Sequence, residues 1–291
     1  MQHRKYLRRA TLAAGLVGLA ISGAIALGAT DKAPAAKTPQ RIVSLNMCAD
    51  QLVLALADRS QIAGLTRNAV KPDMSAEAER AKGLRILGTS AEEILEIEPD
   101  LVVGMPARRS LAVTALEGQN YNMLDLQSAE TLDDIYASIR KTAAAVGHPD
   151  RGEAMIAHMQ GELARIPRNG KGRVAAYYQR RGYMTGTGTL IDDLMTRMGL
   201  VNLAARLKKP ALAQISLEEI VAAQPDFLIV ESATDRVTDQ GTEMLHHPAL
   251  RNIPRISIPQ AWTVCGGPAY VKAARGIADQ MAGHGQPLSG S

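Results

Sequence analysis

The sequence predicts an α/β fold in which two doubly wound parallel-sheet lobes are joined by one long bridging helix. Short apolar runs such as RIVSLN (41–46) and QIAGLT (61–66) alternate with helical patterns such as CADQLVLALAD (48–58). This alternation is typical of βαβ units. In addition, a long amphipathic segment lies at the middle of the chain, and one phrase occurs once in each half.

The same alternation continues along both halves. Further strands are predicted at LRILG (84–88), DLVVGM (100–105), YNMLDL (121–126), RVAAYYQ (173–179), DFLIVES (226–232) and PRISIP (254–259). Further helices are predicted at 90–97, 107–117, 129–146, 188–198, 216–223 and 268–282.

The segment HPDRGEAMIAHMQGELARIP (148–167) predicts the bridging helix. Pro149 and Asp150 are typical of a helix start, apolar residues follow at helical spacing, and Pro167 ends the pattern. A helix of about 17 residues spans about 25 Å, enough to cross from one lobe to the other. The predicted divisions are an N-terminal lobe (41–147), the bridge (148–170), a C-terminal lobe (171–284) and a tail (285–291).

The first 29 residues are predicted to be a signal peptide for export. A positively charged start, MQHRKYLRR, precedes an apolar run that ends in small residues, with cleavage after Ala26 or Ala29. A linker rich in Pro, Ala and Lys follows over 30–40. An uncleaved membrane anchor is the alternative, since the run is near the minimum length for spanning. Two adjacent arginines before the run leave the twin-arginine route open.

The charge of the chain does not indicate a nucleic-acid partner. The sequence has 33 basic and 29 acidic residues. Residues 1–29 contain four basic residues and no acidic one, so the rest carries 29 charges of each sign. A balanced chain lacks the positive field that attracts phosphate. We therefore expect an exported protein that does not bind nucleic acid.

The repeated phrase is SAEEILEIEPDLVV (90–103), which returns as SLEEIVAAQPDFLI (216–229) after 126 positions. In each copy a serine occupies the N-cap position, acids fill the first helical turn, and Pro-Asp ends the helix before a strand. A purely structural explanation is that both lobes use the same helix–turn–strand unit.

Several motifs occur together in a specific order. They are RIVSLNMCADQLVLALADRSQIAGL (41–65), the two EE-I-P-D units, GYMTGTGTLIDDLMTRMGLVNL (182–203), LHHPALRNIP (245–254) and WTVCGGP (262–268). Over 41–284 this order resembles the periplasmic binding proteins that deliver cobalamin, ferric siderophores or haem to ABC importers. The resemblance implies a periplasmic, non-enzymatic monomer that binds its ligand between two lobes.

The resemblance also implies a role for the repeat. Members of this family present one glutamate on each lobe to arginine pockets of the paired permease subunits. By position, the similar residues are Glu92 and Glu218. A two-fold transporter would need the same carboxylate from each lobe. Acids at helix N-termini are also favoured without a partner, so the structural explanation stays open.

Ligand-binding residues are expected at the carboxyl ends of the strands, where open α/β sheets bind ligands. Four predicted loops leave strands at this edge: NMCAD (46–50), RNAV (67–70), QRRGYMTGTG (179–188) and QAWTVCGGP (260–268). Arginine beside aromatic groups suits an anionic, planar or catechol-like metal chelate, whereas solvated loop arginines are the alternative. The candidate ligand-binding residues are Asn46, Met47, Cys48, Arg67, Arg180, Arg181, Tyr183 and Trp262.

The two cysteines, Cys48 and Cys265, lie in the first and last of these loops. On the family's fold they belong to opposite lobes, so a disulfide between them would staple the cleft. Free thiols, or thiols that contact a bound metal chelate, are the alternatives. A periplasmic redox or metal-handling protein that uses this pair is therefore the alternative function.

The predicted cargo is a small-molecule metal chelate, and the predicted protein partner is the permease dimer of an ABC importer. A ferric siderophore is favoured over cobalamin or haem. The chain has one Trp, one Phe and seven Tyr, whereas corrinoid binders of this family wall the cleft with several aromatic side chains. No serine triad, paired-acid or zinc pattern is evident, which predicts no catalytic residue, no metal-ligand residue and no permanently bound cofactor.

Overall fold

The computed structural model of the protein describes residues 37–88, 90–105 and 121–283. The predicted signal peptide, the helix expected at 107–117 and the predicted tail lie outside these residues. Within the described parts of the chain, no helix combines the length and apolar character that crossing a bilayer requires.

The first half forms a four-stranded parallel sheet with helices around it. Its elements are β1 (Ile42–Ser44), α1 (Met47–Leu56), β2 (Ile62–Gly64), α2 (Ala78–Ala81), α3 (Ala91–Ile97), β3 (Leu101–Gly104), β4 (Met123–Asp125) and α4 (Leu132–Ala145). The strand order is β2-β1-β3-β4. The two central strands are buried along their whole length, as expected for continuously apolar runs in a parallel sheet.

One helix, α5 (Pro149–Arg165), connects the halves. Proline occupies its first turn, where a missing N–H costs no hydrogen bond. The helix buries Ile156 and Met159, each 2% exposed, and leaves its charged residues towards solvent. These bounds confirm the helix that was predicted within the segment 148–167.

The second half forms another four-stranded parallel sheet and a separate antiparallel pair of strands. Its elements are β5 (Val174–Tyr177), β6 (Tyr183–Thr185), α6 (Leu190–Arg197), β7 (Val201–Asn202), α7 (Leu203–Arg206), β8 (Leu212–Gln214), α8 (Leu217–Ala223), β9 (Phe227–Glu231), α9 (Gln240–Glu243), β10 (Arg255–Ile258) and α10 (Tyr270–Gly283). The parallel sheet has the order β10-β9-β5-β7, and the antiparallel pair is β6-β8.

Two local features differ from the sequence prediction. Residues 179–188 are not one loop, because β6 lies within them and pairs antiparallel with β8. The strand predicted at 84–88 is reduced to a single bridge between Leu65 and Ile86. It lies beside the end of β2, which itself spans only three residues. Both features depend on contacts between segments that are separated in the sequence. The alternation of apolar runs and helical patterns does not predict such contacts.

One hydrophobic core crosses the boundary between the lobes. Ile42 and Leu101 enter it from the first sheet, Met159 from the bridging helix, and Phe227 and Ile256 from the second sheet. Because protein interiors are close-packed, separating the lobes would open voids in this core. We therefore expect the lobes to move only slightly relative to each other.

Candidate ligand-binding cleft

The carboxyl edges of the two sheets meet at a disulfide bond. Cys48 lies in the first turn of α1, directly after β1, and Cys265 lies in the loop after β10. Their Cα atoms are 5.3 Å apart across 217 residues of sequence, and the two sulfurs are bonded. Cys265 is only 6% exposed, so it is poorly placed to contact a ligand. The bond brings the loops of both lobes to one shared edge.

Close packing reinforces this junction. Gly266 follows Cys265, and a Cβ atom at this glycine would lie 2.4 Å from the Cβ atom of Ala129 in the first lobe. Any larger residue would therefore push the two lobes apart at this junction. The bond and the glycine together fix the contact between the two lobes.

In the first lobe, the loop after β1 is fixed by its own side chains. The Asn46 amide oxygen accepts a hydrogen bond from the Ala49 backbone N–H at 3.0 Å, which caps α1. Its amide nitrogen donates to the Met105 carbonyl, also at 3.0 Å, and so reaches the end of β3. Met47, beside it, is half-buried. Asn46 thus joins two strand ends, and its polar atoms are already engaged.

A buried carboxylate lies behind this loop. Asp50 is fully buried in α1 and accepts hydrogen bonds from the Thr66 backbone N–H at 3.1 Å and the Thr66 hydroxyl at 2.5 Å. Burial raises the pKa of the Asp50 carboxyl to about 6, and hydrogen bonds from Thr66 and Ser44 partly oppose this rise. The contact fixes the loop that carries Arg67.

In the second lobe, a row of buried polar groups lies at the strand ends. The Tyr177 hydroxyl is 3.2 Å from the Thr263 hydroxyl, and Gln179 donates to Glu231 at 3.3 Å. Tyr177 and Glu231 are 3% and 8% exposed. Burial, followed by the nearby Glu231 charge, raises the pKa of Tyr177. The sequence interpretation missed this row, although an acid that ends an apolar strand (DFLIVES) was a usable signal.

The three arginines predicted for the cleft differ in their surroundings. Arg180 forms an ion pair with Asp239, so its charge is already balanced. Arg67 and Arg181 are exposed, and neither side chain has a hydrogen bond or ion pair with the described residues. Arg181 has a positive φ of 58°, and its carbonyl accepts a hydrogen bond from Gln214 at 2.9 Å. Two of the three arginines are therefore available to a ligand.

The two predicted aromatic ligand contacts differ in their surroundings. Tyr183 is 39% exposed on β6. Trp262 lies in the turn directly after β10 and lines a groove of about 550 Å³ between α1, α2, the bridging helix and α10. Its ring lies beside Gly276, where a Cβ atom would be 3.3 Å away. The contact of both side chains with a ligand stays a prediction.

The repeated units begin and pack in the same way. The Ser90 hydroxyl accepts from the Glu93 backbone N–H at 3.4 Å, and the Ser216 hydroxyl accepts from that of Glu219 at 3.2 Å. Both serines are thus N-caps. The repeated isoleucine is buried in both copies. The serine and the isoleucine therefore have a structural role in each copy that requires no binding partner.

In each lobe, the repeated aspartate accepts hydrogen bonds from backbone N–H groups at the start of a neighbouring strand. Asp100 accepts hydrogen bonds from the backbone N–H groups of Gln40 at 2.8 Å and Arg41 at 2.7 Å, just before β1. Asp226 accepts from the Val174 N–H at 2.6 Å, at the start of β5. Each aspartate therefore satisfies backbone donors at the amino edge of its sheet.

The two glutamates of each copy differ in their contacts. The second, Glu93 or Glu219, is used locally: Glu93 accepts from the Gly88 N–H, and Glu219 pairs with Lys209 at 2.7 Å. The first, Glu92 or Glu218, is exposed and has no ion pair with the described residues. Hydrogen bonds from its own backbone N–H and then from the N-cap serine lower its pKa, so it stays ionised.

Among the residues that the structure describes, no three His, Cys, Asp or Glu side chains are grouped so as to hold a metal ion.

The fold defines a class of two-lobed α/β proteins whose lobes share one bridging helix. The chain belongs to the periplasmic binding protein family, whose sequence model matches residues 42–256. This confirms the family resemblance read from the sequence motifs.

Relatives and solved structures agree with this assignment. A "Vitamin B12-binding protein" of Pectobacterium carotovorum is 26% identical over 254 residues, which is 84% of this chain and 88% of the relative. The apo structure of the "periplasmic heme-binding protein RhuT" from Roseiflexus is 26% identical, with a TM-score of 0.64 over 83% of this chain and 98% of that one. An "ABC-type Fe3+-hydroxamate transport system" structure from Saccharomonospora viridis is 22% identical, with a TM-score of 0.65 over 84% and 93%. Each of these proteins is named for binding or transport rather than for catalysis.

Proposed function

We propose that the protein binds a metal chelate in the cleft between its lobes and delivers it to the permease dimer of an ABC importer. In this proposal Glu92 and Glu218 dock the protein onto the permease, and the unpaired arginines of the cleft contact the chelate. The protein acts in the periplasm after removal of the N-terminal segment.

The observation that carries the docking role is the exposed carboxylate that recurs in both lobes. The repeated serine, isoleucine and aspartate, and the second glutamate, each have a structural contact in both copies. Glu92 and Glu218 have no ion pair with the described residues and remain charged. A pair of cationic pockets on a two-fold partner would supply the missing contact twice.

The docking role is tested with reconstituted importers. Each ABC importer permease of the source organism is placed in lipid nanodiscs, and binding of the mature protein is measured by biolayer interferometry. The double variant Glu92→Ala/Glu218→Ala is expected to lose at least tenfold in affinity for the permease that wild type binds. Asp73→Ala/Glu243→Ala, which removes two exposed acids outside the repeated helices, serves as the control. Unchanged affinity of the first variant would refute the docking role.

For the cargo, the cleft favours an anionic chelate. Arg67 and Arg181 have side chains that are free to donate bidentate hydrogen bonds to carboxylate, hydroxamate or catecholate oxygens. With Trp262 in the groove beside α10, the chain's few aromatic residues leave little stacking surface for a corrin or porphyrin ring. We therefore place a ferric siderophore first. Cobalamin is the second candidate, because the Pectobacterium relative is named for vitamin B12.

Calorimetric titration distinguishes these cargoes. Ferric hydroxamates, ferric catecholates, haemin and cyanocobalamin are titrated separately into the mature protein. The expected result is binding of a ferric siderophore that weakens at least tenfold in Arg67→Ala/Arg181→Ala but not in the exposed control Arg251→Ala. Binding of cyanocobalamin alone, unaffected by the arginine changes, would replace the siderophore with cobalamin. Tryptophan fluorescence is less suitable, because Trp262 lies in the groove beside α10.

A further inference from the structure

Exposed apolar side chains follow the same 126-residue repeat as the docking glutamates. Among the described residues, seven large hydrophobic side chains are exposed, and four of them form two pairs at this offset. Ile86 and Leu212 are 36% and 58% exposed, and Leu95 and Val221 are 36% and 37% exposed. Scattered exposed apolar residues are normal, but a pattern that recurs in both lobes calls for a common cause.

Each pair has a defined position relative to its glutamate. Leu95 is three residues after Glu92, and Val221 is three residues after Glu218. Residues at this spacing lie on the same face of a helix, so carboxylate and aliphatic group point the same way. Each helix therefore presents one charge and one apolar group side by side.

The segment before each helix adds a second apolar group. Ile86 is exposed because its neighbour Leu87, 7% exposed, takes the inward-facing side. Leu212 pairs with Thr185 in the β6–β8 ladder. Tyr183 lies two residues from Thr185, so it shares the outer face of this ladder with Leu212.

Each lobe thus has a set of exposed side chains, here called a patch: Ile86, Glu92 and Leu95 in the first lobe, and Leu212, Glu218 and Val221 in the second. The carboxylate in each patch restricts the possible partner. An anionic lipid surface would repel two ionised glutamates. A symmetric dimer of this chain would bring the same patch, with its carboxylate, against itself, and like charges would meet. A partner that offers a cationic side chain beside an apolar socket, twice and related by a two-fold axis, matches both features.

We propose that Ile86 and Leu95 in the first lobe, and Leu212 and Val221 in the second, form two matched apolar contacts around the docking glutamates. The partner is a two-fold permease dimer with an apolar socket next to the cationic pocket on each subunit. The inference rests on the proposed function and specifies the chemistry of its partner. The carboxylates set orientation, and the apolar groups supply contact that salt does not screen.

The test uses the permease identified by the glutamate variants, held in lipid nanodiscs. Leu95→Gln/Val221→Gln is expected to bind about tenfold more weakly than wild type. Ile86→Gln/Leu212→Gln is a second, independent variant that leaves both helices unchanged. The matched control is Val70→Gln/Val237→Gln, which alters apolar residues that are 39% and 52% exposed but lie outside the repeat. Thermal unfolding of every variant verifies that it is folded.

Salt dependence separates the apolar contact from the charge contact. Between about 50 and 500 mM salt, the loss caused by the glutamine variants should stay constant, because apolar contacts are not screened. The loss caused by the glutamate variants should shrink as salt increases.

The outcomes are distinct. Wild-type affinity for both glutamine variants, with a loss for the glutamate variants, would overturn this inference and leave the proposed function intact. An equal loss for the control variant, or an equal change in binding to empty nanodiscs, would also overturn it. If the wild-type protein binds no reconstituted permease, the proposed function and this inference both fail.

Discussion

The repeated helix–strand units of the two lobes have the same helix caps but differ in the contacts that their side chains make. Both begin with a serine cap, and both end in a left-handed residue, Glu98 with φ 49° and Gln224 with φ 45°. Their second glutamates differ: Glu93 contacts a backbone N–H, whereas Glu219 pairs with Lys209. The first glutamate is exposed in both cases. The contacts of the second glutamate differ between the lobes, so they do not explain why the first glutamate is exposed in both.

The packing below each helix also differs. Ile94 lies in a small cluster with Val43 and Leu87. Ile220 belongs to a larger cluster that includes Leu228 and Leu245. The two lobes therefore hold the same exposed glutamate on cores of different size, so local stability and the proposed docking role can be separated by experiment.

Breaking the covalent link between the lobes should have the largest effect. The disulfide closes a loop across 217 residues, and removing it with Cys48→Ser/Cys265→Ser should lower the free energy of unfolding by about 4 kcal/mol. Chemical denaturation measures this loss. Wild-type protein kept in reductant is the control and should match the variant. Equal stability of the variant and the oxidised wild type would show that the shared core alone holds the lobes together.

Replacing the repeated isoleucine with alanine compares the contributions of the two hydrophobic clusters to stability. Ile220→Ala should cost about 4 kcal/mol and Ile94→Ala about 2 kcal/mol, since the larger cluster leaves the larger cavity. The exposed fractions, 0% for Ile220 and 4% for Ile94, agree with this order. Urea denaturation of both variants decides the order, and a reversed order would contradict it.

Replacing the repeated aspartates should give a smaller difference in stability between the lobes, with the larger loss in the first lobe. Asp100 accepts two backbone hydrogen bonds and Asp226 one. We expect Asp100→Ala to lower the free energy of unfolding by about 2 kcal/mol and Asp226→Ala by about 1 kcal/mol. Equal losses, measured under the same denaturation conditions, would indicate that strand anchoring is the same in both lobes.

The smallest effect on stability is expected for the first glutamates. Glu92→Ala and Glu218→Ala remove exposed carboxylates that have no ion pair with the described residues. The midpoint of thermal unfolding should therefore fall by about 2 °C at most, because only the hydrogen bonds and the favourable charge at the helix N-terminus are lost. A clear loss of stability in either variant would support the purely structural explanation of the repeat and weaken the docking role.

Much of the fold was readable from the sequence, because its strongest signals are local. The apolar runs that predicted β1, β3, β5, β9 and β10 all correspond to strands in the structure. The bridging helix was evident from its proline boundaries and helical spacing. The antiparallel β6–β8 pair was missed, since it depends on contact between residues 27 to 31 positions apart, which local propensity does not encode.

The site was less predictable than the fold. Arg180 and Arg181 are adjacent in sequence, yet Asp239, from a distant segment, pairs only with Arg180. Trp262 lies in a strand-end loop by sequence, but the turn after β10 directs its ring to α10. In both cases the role of the side chain depends on a neighbour that only folding brings close.

The sequence by itself determined the α/β class, the bridging helix and the repeat, because periodicity, caps and proline stops act between residues that are near in the chain. Only the tertiary structure decided which repeated residues have contacts and which remain exposed. Hydrogen bonds such as that of Asp100 to Arg41 join residues 59 positions apart. Satisfaction of a polar group by a distant partner is a property of the packed fold, and that is why Glu92 and Glu218 could be distinguished from their neighbours only there.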